Sequence, residues 1–101
     1  ENANVRKGAA GLAEAMQWTY IYIQGRQADR FARFAQFPLR VCEAERSCVS
    51  YARGDRRIVQ VVARLQEAYR GKDGPNPTGA LTFALRDGAW WVTAIDLARL
   101  R

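Results

Sequence analysis

An Asp-Gly pair at Asp87-Gly88 lies between two strand-like runs, Leu81-Thr-Phe-Ala-Leu-Arg86 and Ala89-Trp-Trp-Val-Thr-Ala-Ile-Asp-Leu97, and it constrains this chain more than any other feature. A two-residue hairpin turn needs positive φ at both central positions. Asp-Gly supplies this at little cost, while the flanking β-branched and aromatic residues suit a pleated surface. The chain must therefore contain an antiparallel hairpin here. Such a turn pairs Arg86 with Ala89, Leu85 with Trp90, Ala84 with Trp91, Phe83 with Val92, Thr82 with Thr93 and Leu81 with Ala94. In that register Leu81, Phe83, Leu85, Trp90 and Val92 share the face expected to meet the core. The opposite face carries Thr82, Ala84, Trp91, Thr93, Ile95 and Leu97, too apolar for the wet side of a monomeric sheet. Trp91, Thr93, Ile95 and Leu97 are therefore read as interface candidates, for a second copy or another protein, unless another part of the same chain covers them.

Upstream, the pattern is helical. Between Val5 and Ile23, the residues Leu12, Met16, Thr19, Tyr20 and Ile23 recur at four, three, one and three positions, which predicts an amphipathic helix. Gly25 interrupts it. Phe31, Phe34 and Phe37 then continue at three-residue spacing and predict a short second helix that ends before Pro38, since the residue before proline is pushed out of the α region. From Leu39 the pattern alternates, and a hairpin is expected with arms at 39–43 and 47–52 and Glu43–Ser47 as its turn. Asp55 is placed to cap a further helix whose inner side carries Ile58, Val61, Val62, Leu65 and Tyr69, with Gly71 ending it. The segment from Lys72 to Gly79 reads as a loop. The expected fold class is α+β: N-terminal helices and a further helix packed on an antiparallel curved sheet of hairpins.

The 101 residues match a single domain over 1–101, with a core burying roughly 60 to 65% of the unfolded surface. No stretch approaches the ~20 apolar residues that span a bilayer. The chain opens Glu1-Asn2-Ala3-Asn4 without a basic-then-apolar leader, so a signal peptide or anchor is expected to be absent or removed. The net charge is +6, mostly from arginine spread along the chain. The nearest approach to a patch is Arg26, Arg30 and Arg33 on one helical face. No aromatic run interleaves with them, so nucleic-acid binding is not favoured.

Two cysteines, Cys42 and Cys48, stand in the first hairpin. A structural zinc site is excluded by the ligand count: it takes four Cys or His ligands, and this chain has no histidine. Five intervening residues do not make a thioredoxin-like motif. A disulfide or two inert thiols remain. Opposite positions in a hairpin lie within bonding range, which favours the disulfide and with it an oxidising, periplasmic or extracellular compartment.

The absence of histidine also removes the commonest acid–base catalyst. No catalytic residue is assigned and no cofactor is implied. Asp29, Asp87 and Asp96 could serve as a buried carboxylate base, but each has a structural explanation as a helix-surface, turn or strand-end residue. Trp18, Tyr20, Tyr22, Phe31 and Trp90 could line a pocket for a small apolar ligand between the first helix and the sheet, and core packing explains them equally well.

The element order, the segment Gly25-Arg-Gln-Ala-Asp-Arg-Phe31 before Phe37-Pro38-Leu39, and the closing Asp87-Gly-Ala-Trp-Trp-Val-Thr-Ala-Ile-Asp-Leu97 together resemble a short member of the nuclear transport factor 2-like (cystatin-like) superfamily. The resemblance covers most of the chain, which is shorter than the superfamily pattern by one or two strands. It implies a curved sheet enclosing a cone-shaped pocket, and an outer sheet face that is often a dimer interface. Members include isomerases, dehydratases, immunity-type proteins and periplasmic assembly domains, so the fold does not select a function. The expectation is a non-enzymatic exported binding or assembly domain that self-associates or docks a protein through the Trp91 face. The alternative is an apolar-ligand carrier or carboxylate-based isomerase or dehydratase.

Overall fold

The computed structural model describes residues 11–101. Helix α1, Leu12–Gln24, buries Ala15, Thr19, Tyr22 and Ile23. Their spacing of four, three and one places them on a single stripe. Relative to expectation the stripe is rotated: Tyr22 faces the core more deeply than Tyr20, and Leu12 stays exposed. Thr19 is polar yet fully buried, and its hydroxyl is satisfied within the helix, 3.0 Å from the carbonyls of Ala15 and Met16. Val5, where the helical pattern was expected to begin, lies outside the described residues. Helix α2, Ala28–Ala32, is little more than one turn and buries Ala28 and Phe31.

Strands β1, Ala35–Ala44, and β2, Ser47–Tyr51, form the first hairpin, with Cys42 opposite Cys48 and Leu39 opposite Tyr51. Helix α3, Ile58–Ala68, follows, burying Ile58, Val61, Val62 and Leu65 as the sequence predicts. Its N-cap is Arg57, without a side-chain cap, so Asp55, expected as the cap, does not cap the helix; it accepts the Arg57 backbone N–H at 2.9 Å in the turn before α3. A short 3-10 turn, Pro77–Gly79, precedes β3, Leu81–Arg86, and β4, Ala89–Asp96. A second 3-10 turn, Leu97–Leu100, closes the chain. Asp87 and Gly88 have φ of 51° and 79°, the positive values for which the Asp-Gly pair was read.

The four strands lie in the order β2-β1-β4-β3, with helices packed against one face. Three further expectations are corrected. The sheet is mixed, because β1 and β4 run parallel where the two hairpins meet. Two antiparallel hairpins can join through their inner strands in either sense. The segment from Tyr51 to Leu81, with α3, is long enough to carry the chain across for parallel pairing. Second, α2 stops at Ala32, and Phe37 and Pro38 lie within β1, joined by a cis peptide bond. They occupy the gap in the β1–β4 ladder, where Ala35 opposes Val92 but the next pair is Arg40 with Ala94. A three-residue phenylalanine spacing fits a helix only while the backbone stays helical. Here Phe31 and Phe34 reach the core from helix and turn, and Phe37 from a strand.

The third correction concerns the second hairpin. Phe83 pairs with Val92, as read, but Thr82 pairs with Ala94 and Leu81 with Ile95. Thr93 is the extra residue of a β-bulge, and one inserted residue reverses the inside–outside alternation beyond it. Ile95 is consequently 0% exposed and Leu97 is buried beneath the closing turn, so two residues expected at an interface belong to the core. At the other end Leu85, expected inside, is 55% exposed.

The core is continuous from Tyr22 and Ile23 of α1 through Phe31, Phe34, Leu39 and Val41 to Val62, Leu65, Val92 and Ile95. One polar group is stranded in it. Tyr69, just past α3, is buried with its ring stacked on Tyr20 at 6.1 Å, and its hydroxyl has no hydrogen-bond partner among the described residues. Burial, and secondarily the neighbouring Tyr20, push its ionisation well above the ordinary phenol value.

Ile95→Ala should lower the stability measured by urea unfolding by about 2 to 4 kcal/mol, while Leu85→Ala changes it by about 0.5 kcal/mol or less. The unbulged register makes Leu85 the costlier of the two. Tyr69→Phe removes an unpaired buried hydroxyl and should stabilise by about 1 kcal/mol at neutral pH. Because the folded state holds the phenol protonated, wild-type stability should fall relative to Tyr69→Phe as pH rises past the unfolded tyrosine value of about 10. The same unfolding series run at increasing pH checks both.

Candidate interface on the outer sheet face

Strand parity settles which side chains share the face turned away from the helices. From β1 these are Gln36, Arg40 and Cys42; from β2, Cys48 and Ser50; from β4, Ala89, Trp91, Ala94 and Asp96; and from β3, Thr82, Ala84 and Arg86. Arg40, Ser50, Thr82 and Arg86 are exposed, so no described helix lies over them. Two of the four interface candidates stay on or beside this face. Trp91 is half-buried opposite Ala84, and its indole N–H donates to the Arg86 carbonyl at 3.1 Å, fixing the ring over the hairpin end. Thr93, at the bulge, turns its hydroxyl toward the Thr82 carbonyl at 3.4 Å. Arg86 reaches across β4 to Gln36, with Nε 3.4 Å from Oε1.

The opposite end of the face is polar. Cys42 and Cys48 are joined by a disulfide with their Cα atoms 4.0 Å apart, the cross-strand bond that the hairpin register favours. Arg40 lies beside it, with a guanidinium nitrogen 3.4 Å from the Cys48 Sγ. Arg40, Cys42, Ala44, Glu45, Thr82 and Asp96 border a shallow depression of about 250 Å³. Asp96 accepts the Ala98 backbone N–H at 3.1 Å and pairs with Arg99 at 3.3 Å. It therefore ends the strand and caps the turn that follows.

The pocket candidates fall elsewhere. Tyr22 and Phe31 are wholly buried in the core. Trp18 stacks on Tyr22 at 5.8 Å and Tyr20 on Tyr69, both packed against that core. Trp90 is half-buried opposite Leu85. The carboxylates read as catalytic alternatives are not assembled together: Asp29 is on α2, Asp87 in the hairpin turn and Asp96 at the far end of β4.

The sequence reading missed Gln36, Arg40 and Arg86 as residues of the outer face. Arg86 was legible, since it shares parity with Ala84 and Thr82. Gln36 and Arg40 became neighbours of β4 only through the parallel pairing, which no local pattern announces. No protein-family model, curated protein or solved structure matches the chain.

A Cys42→Ser, Cys48→Ser double variant should lose about 2 kcal/mol, the small effect of opening so short a loop, and the thermal midpoint will show it. The intact wild-type mass without reductant should be two protons lighter than after reduction.

Proposed function

We propose that this is a non-enzymatic, exported binding or assembly domain of nuclear transport factor 2-like fold whose outer sheet face self-associates. One observation carries the reading: the Trp91 ring lies beside Ala84 on a sheet face that no described helix covers, held there by its hydrogen bond to the Arg86 carbonyl. A tryptophan fixed in one orientation costs little further entropy when a partner covers it, which is why such residues anchor interfaces. A second copy is the favoured occupant because the face carries charges of both signs along its length. Arg86 stands at the Trp91 end, while the opposite end has Glu45 beside Arg40, and Asp96 there is already paired with Arg99. A two-fold axis through the middle brings each end over its opposite.

The size of the face sets the strength. Four strands about 4.8 Å apart and some six residues long offer about 400 Å² a side, or about 800 Å² in all. That is below the ~1,200 to 2,000 Å² of stable complexes, so the dimer is expected to be weak. The remaining parts of the reading have separate support. Export rests on the cross-strand disulfide, the absence of catalysis on the histidine-free composition, and the fold family on the order helix, helix, hairpin, helix, hairpin.

Sedimentation velocity and native mass spectrometry over a concentration series should show a dimer appearing by about 0.1 to 1 mM. Trp91→Lys should remain monomeric throughout with an unchanged circular dichroism spectrum. A wild type that stays monomeric at the top of the range removes the self-association reading. Capture of a different protein that Trp91→Lys fails to capture would transfer the face to that partner.

A further inference from the structure

On the other side of the molecule the loop before α2, α2 itself and the start of α3 enclose a groove that the sheet-face reading does not use. It consists of two adjoining depressions of about 350 and 360 Å³ that share Ala28, Asp29 and Val59. The first continues along Arg26 and Arg30, the second along Ala32, Phe37, Arg56 and Ile58. Ala28 and Ala32 stand one helical turn apart, and their small side chains let the wall of α2 recede. Val59, on the solvent side of α3, is 59% exposed and presents its side chain to both depressions.

The rim is basic, and its charges are uncompensated. Arg26 donates through Nε to the neutral Gln66 side chain at 3.0 Å, and Arg53 lies over the Phe37 ring at 4.9 Å. Arg26, Arg30 and Arg56 line the groove and Arg53 stands beside it on Phe37, and none of the four is in an ion pair with a carboxylate among the described residues. Of the two carboxylates in the lining, Asp55 is occupied: both of its oxygens take hydrogen bonds from the Arg57 guanidinium, at 3.1 and 2.8 Å. Asp29 alone offsets the rim, and it stands where the two depressions meet. The groove is therefore positive at both ends, and between them Ala28 and Val59 stand with the one carboxylate, Asp29.

We propose that this groove binds an acidic peptide segment in which carboxylates flank an aliphatic residue. The aliphatic side chain seats against Val59, Phe37 and Ala32. One flanking carboxylate reaches Arg26 and Arg30, the other Arg53 and Arg56, and both keep clear of Asp29. Arginine suits the role because its planar fork takes a carboxylate through two parallel hydrogen bonds. A nucleic acid would offer phosphates but no aliphatic group for the floor. Of the three arginines that the sequence sets on one helical face, Arg26 lies in the loop before α2 and only Arg30 on the helix; these two form one end of a two-ended site.

The test is fluorescence anisotropy with a labelled synthetic peptide, Asp-Glu-Leu-Leu-Glu-Asp, against labelled hexaglutamate and a single-stranded oligothymidylate. The peptide should bind saturably and at least about fivefold tighter than hexaglutamate. Arg30→Glu and Arg56→Glu should each weaken it about tenfold or more, and Val59→Ser about threefold to tenfold. All three positions are exposed, and an unchanged circular dichroism spectrum and thermal midpoint establish that each variant is folded. Absence of saturable binding overturns the proposal, as does binding indifferent to the two charge reversals. Equal affinity for hexaglutamate or oligothymidylate, or an effect of the arginines without one of Val59, reduces the groove to unspecific attraction and also overturns it. Trp91→Lys should bind the peptide as wild type does, so the outcome is independent of the sheet face.

Discussion

Two hairpins become one sheet only where β1 lies alongside β4, and the remaining packing depends on that contact. At its beginning the Val92 N–H donates to the carbonyl of Phe34, just before β1, at 2.7 Å. It brings Leu39 and Val41 of the first hairpin level with Val92 and Ile95 of the second, giving a continuous apolar floor. Either hairpin alone would be a two-stranded ribbon with little to bury, and such ribbons are marginal in water. The helices have a surface to pack on because the two ribbons share one.

The elements that local chemistry determines were legible. Asp87-Gly88 announced its turn, the alternation after Leu39 announced the first hairpin, and Ile58, Val61, Val62 and Leu65 traced the inner stripe of α3. What escaped was non-local or cumulative. Nothing near Phe37-Pro38 says that a strand has already begun, because the partner that makes it one lies more than fifty residues away at Val92. The bulge at Thr93 escaped for a different reason. A threonine fits a regular strand as well as a bulged one, and only the demand that Ile95 and Leu97 be buried tells the two apart. The high apolar content of that strand was itself the clue: Ile95 was too apolar for the outside because it is not outside.

The same reasoning sharpens the two surfaces. Once Ile95 and Leu97 are withdrawn, the outer face is a single tryptophan in a polar, charged setting, suited to a contact that forms and dissolves rather than one that is permanent. The groove beside α2 was hidden from sequence reading because it is assembled from three segments: the loop and helix from Arg26 to Ala32, Phe37 in β1, and the residues from Arg53 to Val59. Each segment contributes arginine or apolar side chains that look unremarkable in isolation.

Among the described residues, the strand order β2-β1-β4-β3 leaves the two outermost strands with one side each unpaired. Such rows of free backbone groups can recruit other chains into aggregates. β2 is only five residues long and is tethered at Cys48, which limits what can add to it. β3 is more open: Leu81-Thr-Phe-Ala-Leu carries no charge until Arg86, and Leu85 faces solvent. Arg86 therefore acts as the gatekeeper of that edge, placing a positive charge where a further strand would have to add.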